Sequence, residues 1–353
     1  MRHKVFSSGN CQPTVAGSTL MAMRRPSRRL TGLTAALIAV MTVATVAVWA
    51  WADDPDGDGV STAAPTTTAA TRTVPSHAAQ QTGEDRTTVR RHAYPATHAD
   101  PSQNYGDLHL PADYRAHRDI PLVILVHGGG WGPRITARVL HRLAADLAAQ
   151  GVAAYSIEYR RVGTGGGWPT TFTDVAAAFD DVPALLTRYP QIRKTGVTAF
   201  GHSAGAQLAV WASLRSAVNP GPGGHPPRMI PDRVISVAGP LDMTWAAATG
   251  NTRAIAALGG RPTTVPDHYA QVDPVLVAAT HPLPSRPTIT VLHGDADRLV
   301  PPDHARRFAA AYSTTGGRID VRILPRQSHA SMLRPDRRAY RDLLHTVVTR
   351  TRR

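Results

Sequence analysis

The chain has 353 residues, of which 42% are hydrophobic, enough for one large domain or two small ones with a sizeable core. Its formal net charge is +14: residues 1–52 hold six basic residues and no acid, and the remaining +8 is scattered along the chain, so we expect no nucleic-acid partner. The single cysteine, Cys11, excludes an intramolecular disulfide, and no Cys/His spacing typical of a metal site occurs.

The N-terminal part of the chain has the pattern of an export signal. Residues 1–29 form a basic segment without acids, and the uncharged residues 30–52 follow directly. A run of this length spans a bilayer as a helix, and the preceding arginines favour the cytoplasmic side. Because Ala50-Trp51-Ala52 also offers a small-x-small cleavage site, we predict either a cleaved signal peptide or a signal-anchor helix.

Residues 53–87 are rich in Thr, Ala, Pro and Asp, and their apolar residues have no period, which predicts a disordered linker. Within it, residues 54–59 match the start of a calcium-binding loop. The twelfth position of such a loop supplies a bidentate glutamate, but here it is Pro65, so we predict an acidic spacer instead.

Residues 88–353 show strands that alternate with helices. The predicted strands cover residues 105–110, 120–126, 152–159, 196–200, 234–238, 288–292 and 319–324. The predicted helices cover residues 135–150, 172–189 with a break at Pro183, 204–214 and 335–349. This alternation predicts a mostly parallel sheet with helices on both faces. Residues 219–232 and 243–286 interrupt the alternation of strands and helices. They lie beyond strand ends, where loops form the functional sites of such sheets.

A glycine-flanked serine lies between one predicted strand and helix, in the sequence Gly201-His202-Ser203-Ala204-Gly205. A tight strand-to-helix turn needs small residues on either side and lifts the central hydroxyl above the sheet. G-x-S-x-G alone is a weak signal, and an ordinary glycine-rich turn is the alternative. Because a strand precedes it and a helix follows, we predict that Ser203 is a nucleophile.

A second glycine motif, His127-Gly128-Gly129-Gly130-Trp131, follows the predicted strand 120–126. Consecutive glycines let backbone N–H groups point into a cavity, where they stabilise negative charge on a carbonyl oxygen. A flexible loop or a phosphate-binding turn is the alternative, but the G-x-S-x-G turn elsewhere in the chain favours an oxyanion hole. Trp131 either walls a substrate pocket or packs the loop.

A serine nucleophile needs a base, and the base needs a carboxylate that orients it. In sheets of this type the acid and then the base follow the serine along the chain. Asp295 and Asp297 come after the predicted strand 288–292, and His329 comes after the strand 319–324. Both segments leave strand ends on the side of Ser203. Of the two acids, Asp297 lies farther out along its loop.

Together, these motifs resemble those of α/β-hydrolases of the esterase/lipase type with an H-G-G-G-W loop. The chain is similar to bacterial carboxylesterases and to kynurenine-formamidase-like hydrolases over about residues 94–348. The resemblance implies the α/β-hydrolase fold, with a mostly parallel central sheet and helices on both faces, for the catalytic domain in residues 88–353. It also implies a structural role for Asp174.

The resemblance further implies the roles of individual residues. Ser203 is the nucleophile, Asp297 is the acid of H-G-x-x-D-x-x-V-P, and His329 is the base. The oxyanion hole comes from the amides of Gly129, Gly130 and Ala204, and the candidate pocket residues are Trp131 and His202. Residues 53–86 hold no counterpart of the N-terminal helical cap of some relatives, so the substrate does not follow from the resemblance.

The function implied is that of an exported serine hydrolase, which cleaves small-molecule carboxylic esters through an acyl-enzyme and needs no metal or organic cofactor. Residues 30–52 would hold it to the membrane if they stay uncleaved. An arylformamidase or a peptidase on the same fold is one alternative. A catalytically idle cell-surface binding module is another, although such proteins usually lack part of the triad.

Overall fold

Short apolar runs form the strands, as at Leu122–Val126, where every side chain is buried because helices cover both faces of the sheet. This computed structural model describes residues 87–218, 221–280 and 286–353. Within them one sheet has eight strands: β1 (Thr88–Ala93), β2 (Tyr105–Leu110), β3 (Leu122–Val126), β4 (Ala153–Ile157), β5 (Thr198–His202), β6 (Arg233–Val237), β7 (Thr288–Gly294) and β8 (Ile319–Leu324). The predicted segments 1–29 and 30–52, and most of 53–87, lie outside the described residues.

The strands follow the order β1-β2-β4-β3-β5-β6-β7-β8 across the sheet. Neighbours from β4 to β8 pair in parallel, whereas β2 pairs antiparallel with both β1 and β4. The prediction of a mostly parallel sheet is therefore confirmed. Because parallel strands share one carboxyl edge, the loops that follow β3, β5, β7 and β8 emerge on the same side.

Helices cover both faces of the sheet. Leu143, Leu343 and Val123 belong to the apolar core on one face, and Phe172, Leu208 and Ile124 belong to the core on the other. The helices are α1 (His141–Ala149), α2 (Thr170–Asp180), α3 (Val182–Arg188), α4 (Ala204–Leu214), α5 (Met243–Ala248), α6 (Thr252–Leu258), α7 (Pro266–Val272), α8 (Pro274–Thr280), α9 (Asp303–Thr314) and α10 (Arg338–Arg352). Short 3₁₀ turns lie at Tyr114–Ala116, Ala137–Leu140, Arg215–Ala217 and Ser331–Leu333.

The predicted break at Pro183 is confirmed: segment 172–189 forms two helices, α2 and α3, because Pro183 in the first turn of α3 has no N–H to donate. The structure differs from the predicted segments in two places. The helix predicted from residue 135 opens as a 3₁₀ turn and becomes α-helical at His141. Segment 243–286, expected as loops, contains α5 to α8. No helix of the described residues has the length and apolar character that crossing a bilayer requires.

Candidate active site

The turn between β5 and α4 holds Ser203 in a strained conformation. Its φ is 54° and its ψ is −125°, a combination that side chains other than glycine rarely adopt. Close packing leaves no room for bulk on either side. A Cβ at Gly201 would lie 2.1 Å from the carbonyl oxygen of Gly205, and one at Gly205 would lie 2.1 Å from that of Val126. Both flanking positions therefore require glycine, and the turn presents the serine hydroxyl at the end of the strand.

The structure brings the three predicted triad side chains together. Ser203 Oγ lies 2.9 Å from His329 Nε2, and His329 Nδ1 lies 2.8 Å from Asp297 Oδ2. The carboxylate accepts the Nδ1–H, which leaves Nε2 to accept the serine hydroxyl. The arrangement therefore places the basic Nε2 of His329 against the serine hydroxyl, while Asp297 orients the imidazole ring from the Nδ1 side.

Asp297 is held by donors on both oxygens. Its Oδ1 accepts the amides of Leu299, at 3.0 Å, and Val300, at 2.8 Å. His293 Nε2 lies 2.8 Å from the Val300 carbonyl oxygen and 3.4 Å from Asp297 Oδ2, so its proton faces both acceptors. Burial alone would raise the pKa of Asp297, but the hydrogen bonds from His293 and His329 outweigh it and hold that pKa well below its usual value. Asp297 is thus an anion when it orients His329.

The neighbouring Asp295 has a different task. Its side chain is exposed, and its Oδ1 accepts the amide of Arg326 at 2.6 Å. The amide of Ala296 donates to the carbonyl oxygen of Gln327 at 3.2 Å. A Cβ at Gly294 would lie 1.9 Å from that same oxygen. Asp295 and these backbone contacts therefore hold the loop after β7 against the loop after β8. They fix the distance between the acid, Asp297, and the base, His329.

The two candidate pocket residues both pack inside the protein. His202 is 3% exposed and donates from Nε2 to the carbonyl oxygen of His329 at 2.9 Å. Burial, followed by the charge of His329, lowers the pKa of His202 to about 3, so the ring stays neutral and a donor. Trp131 is 2% exposed, and its Nε1 donates to Gln207 Oε1 at 3.2 Å. Trp131 thus packs the glycine loop, which is one of its two predicted roles, and His202 holds the loop that carries the base.

The glycine loop after β3 lies directly against the serine turn. A Cβ at Gly128 would lie 3.0 Å from Ser203 Cβ. Gly129 and Gly130 have φ values of 111° and 62°, which only glycine adopts readily. Within the described part of the chain, their amides donate to no protein acceptor. Ala204, the first residue of α4, likewise has an N–H without an intrahelical partner. These three amides and the N-terminal dipole of α4 suit an oxyanion beside Ser203.

A buried hydrogen-bond network supports the glycine loop from behind. His127 Nε2 lies 2.9 Å from Glu158 Oε1, and its ring stacks on Tyr159 at a centroid distance of 4.4 Å. Tyr159 Oη donates to the His127 carbonyl oxygen at 2.7 Å. Glu158 also accepts the amide of Ala137 at 2.9 Å and pairs with Arg161. Burial would raise the pKa of Glu158, but the hydrogen bond and charge of His127 outweigh it, so the group is held as an anion.

Sequence reasoning missed three of these supports: His293, Glu158 and Gln207. Each is a buried polar residue inside or directly after an apolar element, which is a signal in the sequence that a hydrogen-bond partner must exist. The identity of the partner depends on the folded arrangement. Asp174, expected to be structural, is buried and paired with Arg160 through two hydrogen bonds of 2.8 and 2.6 Å.

Comparison with known families gives one match. The family model BD-FAE, which describes an esterase family of α/β-hydrolases, matches residues 107–312. This range includes the glycine loop, the serine turn and Asp297, and ends before His329. Among curated proteins, no match is found.

Solved esterase structures share the fold at low identity. A truncated carbohydrate esterase from gut microbiota has a TM-score of 0.61 at 20% identity, with 77% of this chain and 99% of that chain covered. A thermophilic esterase of Thermogutta terrifontis with bound propionate gives 0.56 at 20%, covering 73% and 92%. Esterase B of Lactobacillus rhamnosis, inhibited by a tributyrin phosphonate, gives 0.59 at 18%, covering 75% and 86%.

We predict that replacing the two aspartates of the loop after β7 by asparagine affects different properties of the enzyme. Asp297→Asn keeps the shape but removes the charge that orients His329 and favours the wrong tautomer, so kcat should fall roughly 10³–10⁴-fold with little change in KM. Asp295→Asn should keep kcat within about twofold and cost about 1 kcal/mol of stability, because it weakens the bond to the Arg326 amide.

The measurements are steady-state kinetics on one chromogenic ester and the melting temperature of each variant. Asp295→Asn is the matched control, since it makes the same chemical change two residues away. The assignment of the acid is wrong if Asp295→Asn loses turnover while Asp297→Asn keeps it.

Proposed function

We propose that this carboxylic ester hydrolase, a chain that belongs to the BD-FAE family of α/β-hydrolase esterases, works through an acyl-enzyme formed on Ser203. The observation that carries the proposal is the unbroken chain of hydrogen bonds from Ser203 Oγ through His329 to Asp297. The strained turn and the free amides beside the hydroxyl support it.

In the first half of the reaction His329 Nε2 takes the proton of Ser203 as Oγ attacks the ester carbonyl. The carbonyl oxygen becomes an oxyanion and is stabilised by the amides of Gly129, Gly130 and Ala204. The imidazolium formed at His329 is stabilised by the anionic Asp297. His329 then protonates the alcohol oxygen, the C–O bond breaks, and the alcohol leaves.

In the second half a water molecule takes the place of the alcohol. His329 removes its proton as the water oxygen attacks the acyl carbonyl, and the same amides hold the second oxyanion. Collapse returns the proton to Ser203 Oγ and releases the carboxylic acid. One ester and one water thus give one acid and one alcohol, and Ser203 is regenerated.

The geometry disfavours the idle binding module. A module without catalysis has no need to keep a strained residue at a strand end, since a conformation of this kind costs of order 1–3 kcal/mol. Here the strain at Ser203 coincides with a hydrogen-bonded imidazole and unpaired amides. The membership of an esterase family favours esters over the formamides and peptides of the other alternative.

We predict that Ser203→Ala lowers ester turnover by roughly 10⁶-fold, because the nucleophile is lost. The melting temperature should change little, since alanine experiences the same strain as serine at a positive φ. The measurement is kcat with a panel of chromogenic esters of increasing acyl length, which also reports the preferred acyl group.

Ser213→Ala is the matched control for this variant. Ser213 is another buried serine and lies within α4, but its hydroxyl only donates to the carbonyl oxygen of Ala209 in the same helix. Its replacement should leave kcat unchanged. Undiminished activity in Ser203→Ala would show that another residue is the nucleophile.

We further propose that the enzyme acts outside the cytoplasm. The support is the sequence of residues 30–52, an uncharged run after four arginines, together with the acidic and proline-rich stretch that follows it. Cleavage after Ala52 would release the catalytic domain, whereas an uncleaved segment would anchor it to the membrane.

Protease added to intact cells that express the full chain should therefore digest the hydrolase domain, or the domain should be found in the medium. Deletion of residues 30–52 is the control and should leave the domain protected inside the cell. Protection of the full chain in intact cells would contradict export.

A further inference from the structure

One cationic side chain lies beside the glycine loop and is not used by the reaction described above. Arg253 belongs to α6, in the segment between β6 and β7 that was expected to form loops. A Cβ at Gly130 would lie 2.6 Å from Arg253 Cδ and 3.5 Å from its Nε. The stem of the arginine therefore lies against Gly130, whose amide is one of the three candidate donors of the oxyanion hole.

Arg253 and Ser203 pack against the same short loop. A Cβ at Gly128 would lie 3.0 Å from Ser203 Cβ, and Gly128 precedes Gly130 by two residues, a separation of at most about 7 Å. The stem of Arg253 therefore lies against the same glycine loop that packs against the serine turn.

The helix that carries Arg253 is well anchored. Asn251 caps α6 by accepting the amide of Ala254 at 3.1 Å, and Ala254, Ala257 and Leu258 are buried on one side of the helix. Arg253 is exposed on the other side. The main-chain position of Arg253 is therefore fixed, while its guanidinium is exposed to solvent and so carries no desolvation cost.

Arg253 has no ion pair or hydrogen bond with any other described residue. Three other arginines do have carboxylate partners, namely Arg160 with Asp174, Arg161 with Glu158 and Arg307 with Asp242. An unpaired guanidinium offers a planar pair of donors that matches a carboxylate. Since no carboxylate of the described residues pairs with Arg253, its guanidinium is available to a carboxylate on a bound substrate.

We propose that Arg253 is a specificity-determining residue that binds a free carboxylate on the substrate, so that the preferred class is an ester carrying a second, uncleaved acidic group. This inference rests on the proposed ester hydrolysis at Ser203. The same chemistry arises from a carboxylate on the acyl side, as in a monoester of a dicarboxylic acid, or on the alcohol side, as in an ester of a hydroxy acid.

The test compares charged and neutral esters of matched size. The acyl arm uses monoethyl glutarate against ethyl valerate, and the alcohol arm uses acetoxyacetate against propyl acetate, with acid release followed for each. The quantity compared is the ratio of kcat/KM for the charged ester to kcat/KM for the neutral ester. In one of the two arms this ratio should exceed one for the wild-type enzyme. Arg253→Gln should lower the ratio by about tenfold or more, and Arg253→Glu should bring it below one. Raising the salt concentration should shrink the ratio, because an exposed charge pair is screened.

Arg261→Gln is the matched control, because Arg261 is another exposed arginine, just after α6. Its replacement should leave the ratio unchanged. The proposal is overturned if the wild type prefers neither charged ester, or if Arg253→Gln keeps the preference. A wild type that turns over none of the esters, or a Ser203→Ala variant that keeps its activity, would instead overturn the proposed function.

Discussion

The close contact between the serine turn and the end of β3 sets the geometry of the whole site. Gly205 lies so near the carbonyl oxygens of Val126 and His127 that a methyl group would separate the two elements. This contact holds Ser203 at a positive φ, a conformation that persists only where the surroundings leave no alternative. Because β3 and β5 are parallel neighbours, the glycine loop and the hydroxyl emerge side by side.

Buried hydrogen-bonded polar pairs hold the loops around that contact rigidly in place. Glu158 holds His127 below the glycine loop, Gln207 joins Trp131 to the carbonyl oxygen of Val272, and His202 holds the carbonyl oxygen of His329. Removal of one partner would leave a buried polar group unsatisfied, which costs about 1–3 kcal/mol. Such pairs keep donors and acceptors within the narrow tolerance that catalysis by preorganised dipoles requires.

The sequence predicts the central part of this structure well because its signals are local. The bounds of β2, β8 and α4 match the predicted segments, since apolar runs and glycines mark their ends. The motifs also pointed to Ser203, Asp297 and His329, and the position of Asp297 in its motif, farther out along the loop, separated it from Asp295. The break near Pro183 was expected as well. Each of these signals spans only a few residues.

What the sequence could not predict depends on contacts between distant segments. The helices α5 to α8 have at most seven residues, too few for a helical period to stand out, so Arg253 looked like a loop residue. The roles of His202 and Trp131 depend on His329 and Gln207, which lie far away in the chain. Hydrogen bonds between residues so far apart in the chain leave no periodic pattern in the sequence.

The central claim is that the Ser203 hydroxyl and the amides of Gly129, Gly130 and Ala204 act on one carbonyl. A crystal structure of the enzyme inactivated by an alkyl 4-nitrophenyl phosphonate tests it most directly, since the tetrahedral phosphorus imitates the attacked ester carbon. We predict a covalent bond from phosphorus to Ser203 Oγ, with the phosphoryl oxygen about 2.7–3.1 Å from those amide nitrogens. An adduct on another residue, or a phosphoryl oxygen turned away from the glycine loop, would contradict the account.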